Sequence, residues 1–277
     1  MISSLVIVFR EMLEMVLVVG VLMAATRSLP GSRQWIGMGV LGGLVGALFF
    51  GLFMEQMEAS FEGEGEFIFN ASILTMASIL IGWTVFWMNR HGREMSQRMK
   101  QVGSSVQAGE LPYTALAIVA LSAVMREGSE AVFFLFGAAQ GIESDGWSML
   151  TGGILGAGSA LIIGSLLYFG LARIPVKQLF NVAGWLLMFL AAGMASQAAW
   201  NLVVIDWLPP LMDPMWNTSS IVSSESMLGE LMHVMIGYDD QPSALQVLVF
   251  AASLIAMVTI HYRVQAKSTS LGSRSSA

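Results

Sequence analysis

Apolar residues in this chain run in long blocks broken by short polar segments, with little of the one-sided alternation of a soluble amphipathic helix. The blocks cover residues 2–25, 35–54, 67–88, 112–137, 148–172, 178–204 and 244–261. A bilayer core about 30 Å thick needs about 20 apolar residues of α-helix. Each block therefore predicts a membrane-spanning helix, seven in all. Glycines at four-residue spacing (Gly39 and Gly43, Gly42 and Gly46, Gly152 and Gly156) predict close backbone approach in the second and fifth helices.

Composition agrees with an all-α integral membrane protein. Of 277 residues, 55% are hydrophobic and only 12% charged, where soluble domains carry about 25% charged residues. The spans account for most of the chain and leave no room for a separate soluble domain. The first block is too long for the core of a signal peptide and carries charges, so no cleavable leader is expected. Cysteine is absent, which removes thiolate ligands and disulfides. The net charge of -6 argues against a nucleic-acid partner.

The charges also predict topology, because Lys and Arg near span ends face the cytoplasm. Arg27, Arg33, Arg90, Arg93, Arg98, Lys100, Arg173, Lys177, Arg263, Lys267 and Arg274 fall on one side of a seven-helix arrangement. The opposite side carries Glu55, Glu58, Glu62, Glu64, Glu66, Glu143, Asp145, Asp206, Asp213, Glu225, Glu230, Asp239 and Asp240. This sorting places the N-terminus outside and the C-terminus in the cytoplasm.

Arg10 and Arg126 escape the sorting because they lie inside spans. They open matching segments, Arg10-Glu11-Met12-Leu13-Glu14 and Arg126-Glu127-Gly128-Ser129-Glu130. Gly39, Leu41 and Gly42 are echoed by Gly153, Leu155 and Gly156, and Phe69-Asn70 with Gly82 by Phe180-Asn181 with Gly193. Helices one to three thus read as duplicated in helices four to six. An odd number of helices per half makes the repeat inverted, a transporter architecture with its site near the midplane. The chain reads as a single membrane domain over 1–264. Repeats occupy 1–100 and 112–204, an outer segment 205–243, and the seventh helix 244–263. A Ser-rich cytoplasmic tail, 265–277, is expected to be disordered.

Glu11 and Glu127 each lie about 15 Å deep from the outer end of their helices, close to mid-bilayer. Residues i+1 and i+4 of each motif are neighbours across one helical turn. Glu11 with Glu14, and Glu127 with Glu130, can therefore address one ion. Each central charge costs about 2.5–3.5 kcal/mol to place unpaired, so the six must be paired or hydrated. Salt bridges locking helix one to helix four would use two carboxylates and two arginines and leave two carboxylates without a counter-charge. A metal cation supplies the missing positive charge. Carboxylate oxygens suit a hard cation. Met12, Met15 and Met125 lie near the motifs but read as core filler in a chain with 21 methionines. His91, His233 and His261 fall outside the site.

A paired R-E-x-x-E on the first and fourth of seven helices resembles the high-affinity iron permeases of fungi and bacteria, the oxidase-dependent iron transporter family. Leu228-Gly229-Glu230-Leu231-Met232-His233, with Gly237-Tyr238 and Pro242, resembles that family's stretch before its last helix. The usual motif reads R-E-G-L-E; here Met-Leu and Gly-Ser occupy the variable positions while all four glutamates are kept. The resemblance spans residues 1 to about 262 and implies a non-enzymatic permease of the cytoplasmic membrane. Its substrate would be iron, in ferric form, supplied by an extracytoplasmic ferroxidase or iron-binding partner, with no cofactor held permanently. Glu11, Glu14, Glu127 and Glu130 would be the metal ligands and Arg10 and Arg126 their charge partners. Lead or another metal cation is an alternative cargo. A carboxylate-bridged di-iron enzyme is a rival, disfavoured because such sites use Glu-x-x-His pairs. Glu55, Glu58, Glu62, Glu64 and Glu66 are a candidate cation-collecting cluster on the outer side.

Overall fold

Each apolar block forms an α-helix within its described part in the computed structural model of the protein, which describes residues 1–141, 146–169, 176–224, 226, 228–229, 231–232 and 238–274. The helices are α1 (Ile2–Ala25), α2 (Ser32–Glu58), α3 (Glu64–Gln107), α4 (Thr114–Gly141), α5 (Gly146–Tyr168), α6 (Val176–Val204) and α7 (Ala244–Arg274). All of α2 and α5, and the stretches 64–85 of α3, 178–204 of α6 and 244–263 of α7, are long and apolar enough to cross a membrane. Helices α1 and α4, 24 and 28 residues long, are interrupted midway by the three charges of their motifs.

Local chemistry sets several helix ends. Thr26 Oγ1 donates to the Leu22 carbonyl, and Ser32 Oγ to Thr26 and Leu29, closing the turn between α1 and α2. Glu64 and Glu66 sit in the first turn of α3, where the helix dipole favours negative charge. At the start of α7, Ser243 Oγ accepts from the Gln246 N–H while Gln246 Oε1 accepts from the Ser243 N–H, a reciprocal capping box.

Packing centres on α1, α3, α4 and α6. Ile7, Leu74, Phe134, Leu187 and Met188 are fully buried in one core cluster, and Leu22, Ile36 and Leu116 in a second. Helix α2 lies along α4, and α5 along α1, each pair parallel. A Cβ added at Gly39 would strike the Ala117 carbonyl, and one at Gly43 would sit 2.8 Å from Val124 Cβ and 2.9 Å from the Leu121 carbonyl. Likewise Gly152 meets the Met1 carbonyl, and Gly156 the Leu5 carbonyl and the Phe9 N–H. These glycines are required by backbone contact, which overpacking disrupts at a cost of about 1–3 kcal/mol. Gly43→Ala should lower the Tm of the purified protein by that stability, whereas Gly37→Ala, facing open space, should leave it unchanged; equal melting of the two variants would contradict this packing.

One expectation differs from what is observed. Helix α3 continues to Gln107 rather than ending near Met88, and its 44 residues extend about 66 Å. Apolar patterning marks where a helix meets lipid; the charged stretch beyond contains no proline, and its far end is secured where Met99 and Val106 are buried. Helix α7 runs through Arg274. Gly39 and Gly43 meet backbone carbonyls of α4 much as Gly152 and Gly156 meet backbone carbonyls of α1.

The two ends of the bundle differ in charge. Arg27, Arg33, Arg98 and Lys100 gather at the end where Gly103 packs on Ala25 and Gln107 Nε2 donates to Ser28. Glu55, Glu58, Glu62, Glu64 and Glu66 lie at the other end, all exposed except Glu58, which accepts a bond from Gln140 Nε2 of α4. Expectations for Glu143, Asp145, Arg173, Glu225, Glu230, His233 and Gly237 fall outside the described residues, as do those for the side chains of Arg90, His91, Arg93, Lys177, Lys267 and Arg274.

Candidate metal site

The α1 motif is set by helical spacing. Arg10 Nη1 donates to Glu11 Oε1 at 2.6 Å, and its Nη2 lies 3.0 Å from Glu14 Oε1 one turn on. All three side chains are buried. The α4 motif repeats the order with looser geometry. Arg126 Nη2 lies 2.8 Å from Glu127 Oε1, but its Nε is 3.6 Å from Glu130 Oε1. The Arg10 side chain is 3% exposed and the Arg126 side chain 39%; Glu127 is buried, while the Glu130 side chain is 24% exposed.

Both arginines thus have ion pairs within their own motif. Each of these pairs lies within a single helix. What meets across the helices is acid on acid: Glu11, Glu14 and Glu127 each place a carboxylate oxygen within 4.8 Å of the others. That arrangement brings like charges together in a site removed from solvent. Glu11 Oε2 and Glu127 Oε2 are buried without a hydrogen-bond partner among the described residues. A buried acceptor left unpaired costs free energy, and a charged one more. A cation coordinated by these oxygens removes both the repulsion and the unmet lone pairs, and the oxygen-only donor set suits a hard or borderline ion such as iron.

Of the four glutamates expected from the sequence, three converge. Glu130 lies beside them, outside that group of three, though it is within Coulombic reach of Glu14. Thr84 of α3 is buried and donates from Oγ1 to Glu130 Oε2 at 3.4 Å. Sequence reasoning missed this residue; its signal is a polar side chain at helical spacing from Ala77 and Ile81, on the buried face of an apolar span. The methionines take the roles of packing groups: Met125 lies against Gly46 of α2, and Met15 is buried near Gly128. His261 sits on α7 with its ring edge-on to Trp185 and Tyr262.

Comparison with known proteins fits this chemistry. The chain is 32% identical over 257 residues to the ferrous iron permease EfeU of Escherichia coli O6:H1, covering 90% of this chain and 91% of the relative. It is 31% identical over 256 residues to the protein of the same name from Escherichia coli O157:H7, at 90% and 91% coverage. With ferrous iron permease EfeU of Shigella flexneri it shares 31% identity over 213 residues, 76% of this chain and 88% of that one. No solved structure matches the fold. The sequence model of the iron permease FTR1 family matches residues 1–274. The apolar helices and these relatives make the protein a multi-pass membrane transporter. With its paired Arg-Glu-x-x-Glu helices crossing at a buried acidic cluster, the chain belongs to the iron permease FTR1 family.

Proposed function

We propose that the protein carries iron across the cytoplasmic membrane into the cell, using Glu11, Glu14, Glu127 and Glu130 as transit ligands and Arg10 and Arg126 to hold those carboxylates ionised and aimed. The observation that carries this reading is the convergence of three buried carboxylates from α1 and α4. Family membership supports iron as the cargo, and ferrous iron is the form named for the relatives. Ferric iron, implied by the resemblance to oxidase-dependent permeases, enters only with an oxidising partner outside the membrane. We therefore take ferrous iron as the first substrate to test.

The same reading gives the chain seven spans, with α1–α3 and α4–α6 as inverted halves and α7 added. Support comes from the glycine contacts. One shift in numbering carries Gly39, Gly43 and Gly51 onto Gly152, Gly156 and Gly164, and another carries their partners Ala117, Leu121 and Val132 onto Met1, Leu5 and Val16. The basic end of the bundle would face the cytoplasm and leave the N-terminus outside. The exposed Glu55, Glu62, Glu64 and Glu66 at the other end would raise the local cation concentration before entry.

Radio-iron influx into sealed vesicles tests this reading. Uptake above protein-free vesicles is expected, with reduced iron favoured over oxidised iron and unlabelled iron competing better than lead, zinc or manganese. Influx of another metal in preference to both forms of iron would contradict it.

A further inference from the structure

The four motif glutamates are not equivalent. Arg10 holds the buried Glu11 and Glu14 at 2.6 and 3.0 Å, and Arg126 holds Glu127 at 2.8 Å. Among the described residues the contacts given for Glu130 are long, 3.6 Å to Arg126 and 3.4 Å to the Thr84 hydroxyl, and its side chain is the most exposed of the four. A hydroxyl–carboxylate bond at full strength is about 2.5–2.7 Å long, so Glu130 is tethered loosely. The neighbouring Arg126 is also partly exposed. A guanidinium at mid-bilayer does not face lipid without great cost, so this flank opens to water or to other protein. Helix α3 adds a further difference, since the shift relating Phe69-Asn70 to Phe180-Asn181 carries Thr84 onto Ala195, which has no hydroxyl.

We propose that Thr84 is a positioning residue that parks Glu130 beside the three-carboxylate cluster, making Glu130 the exchange ligand that passes iron between that cluster and the accessible flank of α4. This rests on the four-glutamate reading above. Iron held by Glu11, Glu14 and Glu127 needs a further carboxylate able to swing in and out, because a tightly caged ion would not leave. The parked carboxylate must be held, but weakly. The Thr84 hydroxyl does this, and threonine's stiff χ1 fixes where the hydroxyl points.

The test compares Thr84→Val, Thr84→Ser and Glu130→Gln for ferrous-iron influx into vesicles of matched protein content, fitted for maximal rate and half-saturation. Valine keeps the shape and removes the hydroxyl. Thr84→Val is expected to lower the maximal rate about fivefold to tenfold, as loss of one weak bond to a charged group implies. Its half-saturation should stay within about twofold, because the three tight ligands remain. Thr84→Ser should restore most of the rate, and Glu130→Gln should stop influx. An unchanged rate in Thr84→Val while Glu130→Gln is inactive overturns the role of Thr84 and leaves the site standing. A loss that serine fails to rescue also overturns it, pointing to packing. Normal influx by Glu130→Gln overturns the site reading itself.

Discussion

Vesicles carrying Glu14→Gln should take up iron at least about a hundredfold more slowly than the parent protein. Changes one step removed from a metal ligand already cost about 10–100-fold in affinity or activity, and Glu14 would be a ligand. It is buried, lies 3.0 Å from Arg10, and shares the cluster with Glu11 and Glu127. Glutamine preserves the volume, so packing survives while one negative charge is lost. The measurement is radio-iron influx at equal protein content, with Tm as the control for folding. Parent-like influx from a correctly folded variant would remove Glu14 from the transit site.

Arg10→Ala should instead remove the protein from the membrane. The Arg10 side chain is 3% exposed and carries the pairing of Glu11 and Glu14. Taking one partner from a buried ion pair costs about 3–5 kcal/mol, a large part of the 5–15 kcal/mol, roughly, that holds a domain folded. Low membrane yield or a sharply depressed Tm is expected. Arg126→Ala, at a side chain 39% exposed, should be better tolerated because water can solvate what it leaves. The triple change Arg10→Met, Glu11→Gln and Glu14→Gln separates stability from function. With the charges removed together it should recover yield without recovering influx. An Arg10→Ala variant that melts like the parent would show that the buried carboxylates need no resident counter-charge.

Much of this was legible in the residues. Apolar block length located α1 to α7, since lipid imposes a minimum span. The motif glutamates stood out because ionised groups in a span are too costly to be incidental. Two features escaped. The extension of α3 past Met88 lies in polar sequence, where hydropathy says nothing about helix. The contact of Thr84 with Glu130 comes from α3, which shares no sequence motif with it.

Iron X-ray absorption on the purified, iron-loaded protein tests the central claim most directly. The buried acidic cluster predicts a coordination shell of oxygen alone, with fewer scatterers or no bound iron in Glu11→Gln and Glu127→Gln. Sulfur or imidazole in that shell, or a spectrum unchanged by both substitutions, would place the iron elsewhere.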